Sequence, residues 1–95
     1  MTRPPRLEPA VVDEALREAG SPWSRTDEVL VYERRFESFA DAIRFVDAVA
    51  VEADARDHHP DIIVRYTLVR LELSTHDVGG LTSLDLDLAA AVARI

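Results

Sequence analysis

Histidines 58, 59 and 76 are the only three in the chain, and they fall within one nineteen-residue stretch, as His58-His59-Pro60 and then Ser74-Thr75-His76-Asp77. Imidazole is the side chain whose ordinary pKa lies closest to neutrality, so gathering the whole supply in one region points to proton transfer there. Carboxylates at Asp54, Asp57 and Asp61 crowd the first segment. Taken alone, His58-His59 reads as two exposed imidazoles of no consequence. His76, at a second structural break bounded by Gly79-Gly80, changes that: several near-neutral acids and bases could then face one pocket along an edge of a sheet.

The elements that must position these residues follow from spacing. Prolines 4, 5 and 9 suggest a loose start, with residues 1–8 flexible, entering a helix at Pro9. Val11, Val12, Ala15, Leu16 and Ala19 recur at helical spacing as far as Gly20, a fitting C-terminal cap. Trp23 to Arg25 and Val29 to Phe36 read as strands, rich in β-branched and aromatic residues and joined at Thr26-Asp27. Ser38-Phe39-Ala40-Asp41 resembles a capping box opening a long helix with an apolar stripe of Phe39, Ala42, Ile43, Val46, Val49, Ala50 and Ala53. That helix fades at Arg56-Asp57, since Pro60 disfavours an α conformation at His59. Ile62 to Tyr66 and Leu68 to Leu73 return to extended structure. Thr82-Ser83-Leu84-Asp85 is a second box, opening a last helix lined by Leu84, Leu88, Val92 and Ile95. The order α-β-β-α-β-β-α predicts an α+β fold: a four-stranded antiparallel sheet with helices on one face.

Ninety-five residues fit one domain, 1–95. No apolar run is long enough to span a bilayer, and the start lacks the apolar segment of a secretory signal, so a cytoplasmic location without membrane contact is expected. The absence of cysteine excludes disulfides, thiol catalysis and thiolate metal sites. A net charge of −7 argues against nucleic acid as a direct partner. Arg34-Arg35, the only adjacent basic pair, reads as a solvated strand edge.

The ordered set of Asp54, His58-His59-Pro60, Tyr66, His76 and Asp85 resembles the signature of the pterin-4a-carbinolamine dehydratases. Trp23 and the Phe36, Phe39, Ala42, Phe45 pattern look like that family's first half, and Thr75 to Thr82 looks like its loop before the last helix. The resemblance implies removal of water from 4a-hydroxytetrahydrobiopterin to give the quinonoid dihydropterin, by histidine acid/base chemistry without metal and without a cofactor, the pterin being the substrate. It assigns His58, His59, His76 and Asp85 as catalytic, with His59 or His76 as acid at the leaving hydroxyl, His58 as base or orienting partner, and Asp85 setting imidazole charge and orientation. Asp54, Pro60, Ser74, Thr75, Asp77 and Val78 are the implied substrate-binding residues. At Ile62 some members carry tryptophan, so aromatic stacking on the substrate is not expected here.

Each of these residues also has a plainer role. Asp85 is a capping-box acid, Ser74, Thr75 and Asp77 suit a strand end and turn, and Tyr66 and Trp23 are large enough to be core. Competing functions are a zinc site of three histidines and a carboxylate, a non-catalytic or dual-role binding and assembly module of the same fold, and action on a molybdopterin- or folate-related pterin. A homodimer or homotetramer is expected, with Val31, Phe45, Val49 and Leu84 supplying contacts.

Overall fold

Alternation of Val69, Leu71 and Leu73 with Arg70 and Glu72 dictates a strand with one dry face, and the rest of the sheet is built around it. The computed structural model describes residues 3–95. Its elements are α1 (Pro9–Ala19), β1 (Ser24–Thr26), β2 (Val29–Arg35), α2 (Phe39–Arg56), β3 (Asp61–Arg65), β4 (Leu68–Leu73), a 3-10 turn (His76–Val78) and α3 (Ser83–Ala93). The four strands are antiparallel in the order β1-β2-β4-β3, so the expected α+β architecture is the one observed.

Register puts Leu30 opposite Leu73, Tyr32 opposite Leu71 and Val64 opposite Val69 on one face. Leu30, Val69, Leu71 and Leu73 are fully buried there, in one cluster with Ala42, Phe45, Val49 and Ala53 of α2 and Leu88 and Val92 of α3. Each such leucine contributes about 1.5–3 kcal/mol by leaving water. The opposite face carries Arg70, which donates from Nε to Glu72 (2.8 Å) and from Nη1 to Glu33 (3.2 Å). That ion-paired surface leaves the helices to one side.

Several expectations are corrected. The buried stripe of α2 is Ala42, Phe45, Val49 and Ala53, while Phe39 and Ala50 are exposed. Phe45 and Val49 therefore lie inside the core of a single chain and cannot supply subunit contacts. Arg34-Arg35 does lie at an open edge, because β1 pairs only with Val29–Val31 and leaves the far end of β2 bonded to β4 alone, but Arg34 is not simply solvated. The Arg34 guanidinium lies 4.9 Å and 5.1 Å from the ring centroids of Phe36 and Phe45, where its charge meets aromatic faces. Tyr66 is 75% exposed rather than core: it sits with φ 54° in the two-residue turn between β3 and β4. Trp23 is buried as expected, beside Tyr32, with its indole N–H unpartnered among the described residues.

The start of the chain, expected to be flexible over 1–8, is instead tied down at several points between residues 3 and 8, residues 1 and 2 lying outside the described residues. Leu7 N–H donates to the Leu81 carbonyl (2.7 Å), and Arg6 Nη2 donates to Glu28 (2.7 Å). Arg25 holds Asp13 of α1 through two N–H donors, at 2.7 Å and 2.9 Å. The hydrogen bond from Arg25 lowers the Asp13 pKa, that from Arg6 lowers Glu28, and those from Arg44 and Ser38 lower Asp41. A carboxyl whose folded pKa is depressed supplies stability that is present above its ordinary range and lost as pH falls through the depressed value. Thermal midpoints are accordingly expected to be flat above about pH 5 and to fall below about pH 4, with a shallower fall in Glu28→Gln. These pairs are exposed, so each effect is small.

Candidate functional site

Two segments converge at one end of the sheet. α2 ends with Asp57 in the left-handed conformation, its N–H bonded to the Asp54 carbonyl, and the next N–H, of His58, bonds back to Ala53 (both 3.2 Å). This doubled closure turns the chain sharply, and Pro60 then holds it extended into β3. His58 is thereby aimed inward and is only 7% exposed, while His59 points outward. On the other side β4 runs into Thr75, which bridges to Gly80 and encloses the 3-10 turn headed by His76.

Asp85 joins the two segments. It is fully buried, and its Oδ1 lies 2.6 Å from His58 Nε2. Its Oδ2 accepts from the Thr75 hydroxyl (2.8 Å) and from the Thr82 backbone N–H (2.9 Å). The Thr75 and Thr82 hydroxyl oxygens are 2.9 Å apart, and Thr82 Oγ1 accepts from Leu84 N–H (3.2 Å). A carboxylate only accepts, and Thr75 has a single proton, which goes to Asp85. Thr82 must then donate to Thr75, and His58 must carry its proton on Nε2. In the neutral ring its Nδ1, with no protein partner among the described residues, is then the acceptor nitrogen. Asp85 thus serves both as the capping-box acid of α3 and as the anchor that fixes the His58 tautomer.

A cavity of about 270 Å³ opens here, lined by Arg3, Asp57, His58, His59, Ser74, Thr75, His76 and Asp77. That is slightly below the roughly 300 Å³ at which small-molecule sites begin. His59 Nε2 is 2.9 Å from Asp54 Oδ1 at the exposed rim, and Asp77 Oδ2 accepts from Arg3 Nε at 2.9 Å. Asp54 and Asp85 thus stand behind two of the imidazoles, off the cavity wall. Pro60 and Val78 do not line it. Thr75 has its hydroxyl, N–H and carbonyl already committed within the protein. Ser74 and Asp77 line it directly. Among the described residues no group of three histidine, cysteine, aspartate or glutamate side chains is arranged to hold a metal ion.

Two lining residues fall outside the set expected from the sequence. Arg3 belongs to the stretch whose prolines read as loose, and no spacing signal marks it. Asp57 could have been found, because an acid at the position that terminates a helix is an unusual choice. A larger, mostly apolar hollow of about 480 Å³ lies between α1 and α3, lined by Leu16, Ala19, Leu86 and Ala89 among others, and it carries no imidazole or carboxylate.

Comparison with known proteins gives the family and agrees with the fold. The sequence family described as "Pterin 4 alpha carbinolamine dehydratase" matches residues 5–95. A Chloroflexus aurantiacus protein named "Putative pterin-4-alpha-carbinolamine dehydratase" is 47% identical over 91 residues, covering 96% of this chain and 97% of that protein. A Metallosphaera sedula protein of the same name is 45% identical over 85 residues, covering 90% and 88%. Among solved structures, a transcriptional coactivator/pterin dehydratase from Brucella melitensis superposes with a TM-score of 0.84 at 33% identity, covering 94% of this chain and 99% of that one. A pterin dehydratase-like protein described as a RuBisCO assembly factor in the alpha-carboxysome gives a TM-score of 0.61 at 25% identity, covering 76% and 83%. By sequence match along nearly its whole length, the chain belongs to the pterin 4 alpha carbinolamine dehydratase family.

Proposed function

We propose that the protein is a hydro-lyase that removes water from 4a-hydroxytetrahydrobiopterin and releases the quinonoid dihydropterin. The observation that carries this is the meeting of three imidazoles from two separate segments on one cavity, with the innermost locked by a buried carboxylate. In the reaction the C4a–O bond breaks with its electron pair leaving on oxygen, which takes a proton and departs as water. The N5–H proton goes to a base, and its bonding electrons form the C4a=N5 double bond. His58 Nδ1, the acceptor nitrogen of the neutral ring, suits the base. His59 and His76, at the rim, suit the acid at the leaving hydroxyl, and such transfers typically contribute about 100- to 10,000-fold in rate each. No step requires a metal ion or a cofactor. Retention of all three histidines favours catalysis over a purely non-catalytic assembly role.

The physiological form we propose is a cytoplasmic homodimer or homotetramer. β1 and β3 are the sheet edges available for pairing, and no helix among the described residues is long and apolar enough to cross a membrane. Stopped-flow mixing of 4a-hydroxytetrahydropterin with metal-stripped protein tests the activity. Dehydration is expected to run well ahead of spontaneous decay, and a rate equal to spontaneous decay would remove the proposal.

A further inference from the structure

Two helices of this chain end in the same way, and only one uses the residue that such an ending prefers. α1 closes on Gly20 (φ 60°, ψ 37°), whose N–H bonds to Arg17 while that of Ser21 bonds to Leu16. α2 closes on Asp57 (φ 49°, ψ 43°) with the matching pair of bonds, to Asp54 and Ala53. The left-handed conformation suits glycine and costs a residue with a Cβ. A carboxylate there also sits at the negative end of the helix backbone dipole, where a cation is favoured. Aspartate is among the few residues with a Cβ that enter this region, as Asp27 also does here, but its charge runs against the dipole, and its carboxylate takes no part in the hydrogen bonds and ion pairs that hold its neighbours Asp54, His58 and His59. Local preferences are broken where a site needs the side chain. The residue lines the histidine cavity.

The second carboxylate on the cavity wall, Asp77, is engaged by Arg3, which leaves Asp57 as the one with both oxygens open among the described residues. The substrate class of the dehydratase reading, on which this inference rests, carries on its pyrimidine side an N3–H beside a 2-amino group. These two donors point the same way and match the paired acceptors of a carboxylate. We propose that Asp57 is a substrate-positioning residue that holds the 2-amino-4-oxo edge of the pterin, so that C4a is presented to the imidazoles that follow it in the chain. A negative group there also favours the cationic character that develops at C4a and N5 as the C–O bond breaks.

Asp57→Asn separates this role from a structural one, because asparagine tolerates the left-handed conformation and offers one acceptor and one donor. That pattern fits a 2-oxo ring instead of a 2-amino ring. Equilibrium binding of 7,8-dihydropterin and of its 2-oxo counterpart, 7,8-dihydrolumazine, is to be measured alongside turnover. The parent is expected to prefer the 2-amino probe. Asp57→Asn is expected to lose at least about tenfold on that probe, a tenfold change being 1.4 kcal/mol, and to level or invert the preference. Its kcat/KM should fall more than its kcat. Asp57→Gly is expected to melt higher than the parent while binding dihydropterin more weakly. An unchanged preference in Asp57→Asn, with turnover intact, overturns the proposal and spares the dehydratase reading. A parent protein that binds neither probe and does not accelerate dehydration overturns both.

Discussion

Asp85→Ala is expected to destabilise the fold by about 3–5 kcal/mol and to remove nearly all dehydration. The side chain is fully buried and is the common acceptor for three donors: His58 Nε2, the Thr75 hydroxyl and the Thr82 N–H. Truncation strands all three in a dry interior and also strips α3 of half its capping box. A domain of this size has only about 5–15 kcal/mol in hand, so the alanine protein will be marginal. Asp85→Asn is the more discriminating variant. Its amide oxygen can still accept from Thr75 and Thr82, but its NH2 group meets His58 Nε2 and forces the ring proton onto Nδ1. The protein should then fold with a donor where the cavity needs an acceptor, and the rate should drop roughly 100- to 10,000-fold. Urea unfolding gives the stability, stopped-flow gives the rate, and nitrogen NMR of the imidazole reads the tautomer. A folded Asp85→Asn protein with full activity would refute the assigned role of His58.

His76→Ala is expected to cut the accelerated rate roughly 100- to 10,000-fold while leaving stability within about 0.5 kcal/mol of the parent. The residue heads an exposed 3-10 turn closed by backbone bonds and by the Arg3–Asp77 pair, and its own side chain has no partner among the described residues, so nothing structural is lost with it. His59→Ala should behave similarly, since its contact with Asp54 is at the solvent-facing rim. His58→Ala should differ from both, losing stability as well as rate, because it empties a buried position beside Asp85. Unchanged turnover in both rim variants would remove them from the mechanism.

Periodicity and end signals were enough to place α2, β4 and α3, because each is bounded by a residue with a mechanical reason to be there: Ser38 and Thr82 at the starts, Pro60 and the glycine pair at the breaks. The partnership of His58 with Asp85 was readable only through family resemblance. Nothing local to either residue shows that a helix end and a helix start will meet. Phe45 shows why composition misleads at the core: a stripe drawn through Phe39 and Ala50 is shifted around the helix from the true one by a fraction of a turn. Tyr66 failed differently. A large aromatic is usually buried, but Tyr66 stands at the left-handed first position of the two-residue turn between β3 and β4 and projects into solvent, while its neighbour Thr67 is buried. Arg3 carried no signal at all, since its place depends on where Leu7 and Arg6 are fastened.

The position of Arg3 has a practical corollary. Its side chain lines the histidine cavity and grips Asp77, so the placement of a tag or fusion partner next to it bears on that cavity. The opposite terminus lies elsewhere, with the Ile95 carbonyl accepting from Arg34. Purification handles placed there avoid Arg3, and kinetic constants measured with amino-terminal extensions should be compared with those of the cleaved protein.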